Sequence, residues 1–173
     1  MREPKILQPT CISMLVDALG HMTLQSQAIA GGTDLMLHLR QATQLPDVLL
    51  DLSGVAELQG IRTEGTRMVI GAMSRFAEIA GNVTVLQSAT CLAQAAASVG
   101  SMQIRNMATI GGNVANASPC ADTLPALLVL QADVGILKSD GSVVRRPLTE
   151  IVRAASQNLL PHNEVIYLSL IHI

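Results

Sequence analysis

The chain has 173 residues, a formal charge of −2, 49% hydrophobic and 14% charged residues, which is too apolar for a disordered segment. Its eleven Lys and Arg are scattered singly, and one Phe, one Tyr and no Trp leave almost nothing for bases to stack on. Nucleic-acid binding is not expected on that basis, and the length suits one domain or two small lobes.

Residues 5–8 read as a short strand, and Pro9-Thr10 opens a helix through Leu19 with Gly20 as its stop. Residues 27–30 read as a buried strand that enters Gly31-Gly32. Thr33 or Asp34 can cap a helix over residues 35–41, where Leu35, Leu39 and Ala42 share a face. Residues 48–51 return as a strand. Residues 1–55 are therefore expected to form a β-α-β-α-β lobe.

A second lobe, residues 56–173, follows. Residues 60–63 and 68–71 flank Glu64-Gly65-Thr66 as a hairpin. Ser74 is expected to cap a short helix to Ala80, and residues 85–99 read as one alanine-rich helix. A long loop over residues 100–113 leads to Gly111-Gly112. Residues 122–130 are helical after Pro119, short of a bilayer span. Residues 133–138 and 142–146 pair across Ser139-Asp140-Gly141, and residues 164–170 form a last strand. The chain stops at Leu170-Ile171-His172-Ile173 within that strand, as a truncated portion of something longer would. The opening residues lack the long apolar segment of a secretory signal, and Cys11, Cys91 and Cys120 suggest no disulfide framework, so a reducing cytoplasm is expected.

Two segments share one design, an apolar approach, a Gly-Gly pair and a polar exit. They are Ala28-Ile29-Ala30-Gly31-Gly32-Thr33-Asp34-Leu35 and Thr109-Ile110-Gly111-Gly112-Asn113, the latter running on through Asn116 and Ser118 to Asp122. Glycine pairs allow another group to approach bare N–H donors, and successive donors make a concave anion site. Two such sites suggest a ligand with two phosphates. The alternative is two tight turns in which Asp34 and Asp122 cap helices and Asn113 and Asn116 form turns. Neither segment matches GxGxxG or GxxxxGK[ST], which disfavours a Rossmann site and a P-loop.

His21, His38, His162 and His172 have no metal-ligand spacing, so no metal site is expected. Cys120 as a nucleophile has no histidine close in sequence. Arg105 reads either as a structural ion pair or as a contact to phosphate or a partner subunit.

Taken together, these motifs resemble the FAD-binding subunit of molybdenum hydroxylases, the medium chains of xanthine dehydrogenase and carbon monoxide dehydrogenase. The resemblance runs from Ala30-Gly31-Gly32-Thr33-Asp34-Leu35 through Ile70-Gly71-Ala72 and Gln103-Ile104-Arg105-Asn106. It continues through Thr109-Ile110-Gly111-Gly112-Asn113 to Ala117-Ser118-Pro119, Asp122 and Pro125-Ala126-Leu127-Leu128. It implies a two-lobed α+β fold of the vanillyl-alcohol-oxidase, or PCMH, type, with FAD between the lobes and its pyrophosphate held by both Gly-Gly segments. It also implies that residues 28–35 and 109–113 contact phosphate and ribityl groups, that Asp122 reaches a cofactor hydroxyl, and that Ile166 lies near the rings. By the same resemblance, the given residues are expected to stop before the family's C-terminal flavoprotein domain. Phe76 and Tyr167 remain as possible ring-stacking residues. No side chain is expected to act as acid, base or nucleophile. The implied activity is electron transfer, an oxidoreductase role in which FAD takes electrons from an iron–sulfur subunit beside a molybdenum-cofactor (molybdopterin) subunit and passes them to NAD or another acceptor. The competing reading is a non-catalytic nucleotide-binding or subunit-docking module.

Overall fold

The computed structural model describes residues 3–154, 157–158 and 160–172. The chain begins with β1 (Lys5–Leu7), α1 (Ile12–Leu19), β2 (Gln27–Ile29), α2 (Leu35–Gln41) and β3 (Val48–Asp51). These three strands form a sheet of order β1-β3-β2, parallel throughout. Parallel neighbours require crossovers, and α1 and α2 supply them. In α1 the spacing of Leu15, Ala18 and Leu19 puts all three on one buried stripe. That stripe packs with Val48 and Leu50 of β3 and with Leu137 and Val165 from later in the chain. Each such leucine contributes about 1.5–3 kcal/mol by leaving water.

A short 3-10 turn (Ala56–Leu58) leads to β4 (Ile61–Glu64) and β5 (Arg67–Gly71), the expected hairpin. Then come α3 (Phe76–Gly81), α4 (Val83–Ser88), α5 (Thr90–Ser98), α6 (Met102–Arg105), α7 (Ile110–Asn116) and α8 (Thr123–Val129). The chain continues through β6 (Asp133–Lys138), β7 (Val143–Pro147), α9 (Leu148–Ile151), β8 (Val152–Ala154) and β9 (Gln157–Asn158) to β10 (Glu164–His172). The larger sheet has the antiparallel order β4-β5-β10-β6-β7. The last strand in sequence is thus central, which explains its continuous apolar run. The main core lies on the helical face of this sheet, where Ile70, Ile136 and Ile171 meet Phe76, Leu92, Ile110 and Leu127.

Several local expectations give way. The strand β2 lies at the edge of its sheet with Gln27 and Ala28 exposed, so it is not buried. The single helix over residues 85–99 is two, broken at Ala89 with φ −142° and ψ 51°. Asn82 caps the first of them by accepting from the N–H groups of Thr84 and Val85 at 3.0 and 3.2 Å. Ser74 is not the cap of α3; its buried hydroxyl donates to Gly60 O at 3.1 Å, while Glu78 accepts from Arg75 N–H at 3.0 Å. The loop over residues 100–113 contains α6 and the start of α7. No residue of α2 is buried, and Ala42 lies beyond its end, so its apolar side rides half-covered at a rim.

Candidate functional site

A cleft of about 590 Å³ opens between the β2–α2 connection, the start of α7 and the strand entry at residues 161–166. That size is in the range of small-molecule and cofactor pockets. Both Gly-Gly segments reach it. Ala28, Ala30, Gly31, Gly32, Thr33, Asp34 and Leu35 line one wall; Thr109, Gly111, Gly112 and Asn113 line another. Ile166, from β10, also lines it. Ile29 does not; it faces a separate recess behind the first glycine pair with Met36 and Met107. Ile110 is fully buried in the main core, and exposed Asp122 stands outside the cleft.

The two segments are in contact. A Cβ placed on Gly31 would overlap the carbonyl oxygen of Met107, and one on Gly112 would stand 3.5 Å from the Ala30 methyl. Segments separated by about eighty positions therefore share one crevice because glycine removes the atoms that would part them.

Their backbones are nevertheless unlike. Gly32 adopts φ +68°, a left-handed conformation that turns the chain from β2 into α2. Among the described residues, the N–H groups of Gly31, Gly32, Thr33 and Asp34 donate to no protein acceptor. The second pair lies inside the first turn of α7, where the donors are already engaged. Ile110 N–H donates to Ser74 O at 3.1 Å, Gly111 N–H to Ala72 O at 2.8 Å and Asn113 N–H to Thr109 O at 3.0 Å. Gly112 N–H donates to Thr109 Oγ1 at 3.2 Å, a helix cap. Gly111 is a packing glycine, since a Cβ there would meet the Ala72 side chain at 2.6 Å. The two equivalent N–H cradles expected from sequence are thus one open cradle and one close-packed helix start.

The helix caps expected of the two aspartates do not form. Asp34 makes no cap hydrogen bond; its Oδ2 pairs with His38 Nδ1 at 3.2 Å on the exposed face of α2. Asp122 makes no cap bond to α8.

A peptide relay holds the far wall in place. Ala72 N–H donates to Tyr167 O at 3.0 Å, while Ala72 O accepts from Gly111. Tyr167 sits at a register shift between Ile166 and Leu168, and such a bulge re-aims the strand. It leaves Ile166 lining the cleft and Tyr167 half-buried away from it. Phe76 underlies the cleft wall but has no exposed surface. Neither aromatic ring presents a face to a ligand.

Tertiary contacts add groups that sequence spacing separates. Asn116, Ser118, Cys120, His38, His162 and Glu164 all line the cleft, and among the described residues no Lys or Arg does. Cys120 and His162 share the cleft but form no hydrogen bond with one another. Among the described residues Arg105 has no ion-pair partner, and it does not line the cleft. Its guanidinium donates to Val99 O and Gly100 O, both at 3.1 Å, closing the end of α5. Among the described residues no group of three or more His, Cys, Asp or Glu could hold a metal ion, and no helix is long and apolar enough to cross a membrane.

Comparison with known proteins meets this geometry. The FAD-subunit of nicotinate dehydrogenase from Eubacterium barkeri is 38% identical over 122 residues, covering 70% of this chain and 41% of that one. The medium chain of carbon monoxide dehydrogenase from Hydrogenophaga pseudoflava is 31% identical over 157 residues, covering 91% of this chain and 54% of that one. The chain thus spans about half the length of the relatives it matches. Among solved structures, carbon monoxide dehydrogenase from H. pseudoflava lacking the Mo-pyranopterin moiety superposes with a TM-score of 0.92 at 27% identity. That match covers 99% of this chain and 59% of the other. Quinoline 2-oxidoreductase from Pseudomonas putida 86 superposes with the same TM-score, 0.92, at 26% identity, covering 99% of this chain and 60% of that one. Residues 2–170 match the model of the FAD binding domain in molybdopterin dehydrogenase. With a cleft built from both of its glycine pairs and a family match over nearly its whole length, this chain belongs to the FAD-binding domain family of molybdopterin dehydrogenases.

Proposed function

We propose that the cleft holds FAD and that the chain serves as the flavin-carrying, electron-transfer part of a molybdenum-cofactor hydroxylase complex, an oxidoreductase. The observation that carries this reading is the open cradle at Gly31, Gly32, Thr33 and Asp34, whose N–H groups have no acceptor among the described residues at the point where the second glycine segment meets the first. Four adjacent donors without acceptors suit the oxygens of a diphosphate, which needs donors and no fixed lysine. The Thr33 hydroxyl, which has no partner among the described residues, adds a further donor at the same place.

The second wall plays a different part. Thr109, Gly111 and Gly112 supply a close-packed surface rather than donors, with Ile110 anchoring them in the core, and Asn113, Asn116 and Ser118 supply side-chain hydrogen bonds to sugar, ribityl or ring oxygens. Ala28, Ala30, Leu35 and Ile166 give the apolar contact that keeps water from the ligand. Ile29 supports the cradle from behind. Asp122 supports the reading least, since its side chain lies outside the cleft.

Bound flavin supplies one- and two-electron transfer, and the chain's residues position it and tune its surroundings. No residue of the cleft is needed as an acid, base or nucleophile. By this reading electrons come from an iron–sulfur subunit fed by a molybdopterin subunit and leave to NAD or another acceptor, in the cytoplasm. The relatives named for nicotinate and carbon monoxide dehydrogenases support it. The three-stranded and five-stranded sheets support a division into lobes at residues 1–55 and 56–173, arranged as in PCMH-type flavoproteins.

The test is titration of the purified chain with FAD, followed by flavin fluorescence and visible absorption, alone and with its iron–sulfur and molybdenum partner chains. Flavin bands that co-purify with the protein are expected. Protein free of flavin under both conditions would overturn the reading.

A further inference from the structure

We propose that Thr123 is a positioning residue for the cofactor site, acting through Asn113. The inference rests on the reading that the cleft holds FAD. Thr123 is the first residue of α8, has no exposed surface and does not line the cleft. Its hydroxyl lies 2.6 Å from Asn113 Oδ1, and Asn113, half-buried on α7, does line it.

The distance assigns the orientation of the amide. A separation of 2.6 Å belongs to O–H···O bonds and is shorter than N–H···O bonds usually are. The amide oxygen is therefore the atom turned inward to Thr123. A carboxamide carries its two donors on the other atom. Among the described residues Asn113 Nδ2 has no protein acceptor, so the donors are left for whatever fills the cleft. Phosphate, ribityl and ring-carbonyl oxygens can all accept from them. Without the buried hydroxyl the amide is free to rotate, and ligand binding must then order it. Neighbouring Asp122, the acidic residue expected to touch the cofactor, faces solvent; the segment reaches the site through the next residue instead.

The experiment measures the FAD dissociation constant of the full chain by fluorescence quenching, with thermal melts alongside. Thr123→Val is expected to weaken FAD roughly tenfold, the scale of one hydrogen bond. Thr123→Ser, which keeps the hydroxyl, is expected to bind like the parent. Combined with Asn113→Ala, Thr123→Val should cost nothing further, because its effect passes through the amide. Asn113→Asp replaces the donors with a charged oxygen facing an anionic ligand, and a loss of about tenfold or more is expected. Parent-like binding by Thr123→Val, weak binding by a folded Thr123→Ser, or an undiminished Thr123→Val effect beside Asn113→Ala would overturn the proposal and leave FAD binding standing. If Thr123→Val does not fold, parent-like binding by Asn113→Asp has the same force. Failure of the parent chain to bind FAD both alone and with its partner chains removes the underlying reading, and this inference with it.

Discussion

Gly31 and Met107 meet backbone to backbone. A Cβ on Gly31 would overlap Met107 O and lie 2.7 Å from Met107 C and 2.9 Å from Ala108 Cα. This contact joins the β2–α2 connection to the segment before α7.

Backbone cannot yield as a flexible side chain can, so Gly31→Ala is expected to destabilise the fold by about 2 kcal/mol or more. At Gly112 the added carbon would meet Thr109 Oγ1 at 3.0 Å and the Ala30 methyl at 3.5 Å, both side-chain atoms with some freedom. Gly112→Ala should therefore cost less. Urea unfolding of the two variants tests the ranking; equal midpoints would remove the claim that Gly31 is the tighter joint.

Ser169 offers a gain. It is fully buried in β10, between partners Ile70 and Val134, and its hydroxyl has no hydrogen-bond partner among the described residues. An unsatisfied buried hydroxyl costs about 1–3 kcal/mol. Ser169→Ala should raise the thermal midpoint, with a stabilisation of about 1 kcal/mol after the small loss of packing. A lower midpoint would show that the hydroxyl is satisfied in solution.

A second gain is expected just past α8, where Gln131 is exposed and holds φ +49°. Its N–H donates to Leu128 O at 3.0 Å, so the left-handed turn is part of the helix ending. This conformation costs a non-glycine residue about 1–2 kcal/mol. Gln131→Gly relieves that strain but gains unfolded-chain entropy, and a net stabilisation of about 0.5–1 kcal/mol is expected from chemical denaturation. An unchanged or lower midpoint would show that the turn carries no such strain.

Asp47 should make stability depend on pH. The Thr23 hydroxyl holds its carboxyl below the usual carboxylate range, aided by the Ser26 hydroxyl, against an opposing effect of burial and with a lesser contribution from the Val48 N–H. The bonds measure 2.7, 2.8 and 2.8 Å. A carboxyl lowered in the folded state contributes stability above its unfolded value of about 4, and that contribution is lost as pH falls through the folded value. Asp47→Asn should accordingly melt below the parent at pH 7, with the gap closing below about pH 4. A gap independent of pH would mean that the charge is not what the hydroxyls recognise.

The local pattern of the chain was enough to place α2 at Leu35–Gln41, the β4–β5 and β6–β7 hairpins, the β-α-β-α-β order of the first part, and the apolar strand that became β10. Those features depend on neighbours a few positions apart: helical periodicity, turn chemistry at Gly65 and Gly141, and unbroken apolar runs. The sequence also marked both glycine pairs as exceptional. It could not say that they differ, because a glycine needed for an open N–H and one needed for close packing look the same in a string of letters. Only the fold decided that Gly111 N–H is taken up by Ala72 O while Gly31 to Asp34 remain open, that a bulge at Tyr167 turns Ile166 toward the cleft, and that Thr123 rather than Asp122 reaches Asn113. Each of those outcomes depends on atoms brought together from distant parts of the chain, where packing and hydrogen-bond competition, not local preference, determine which group meets which.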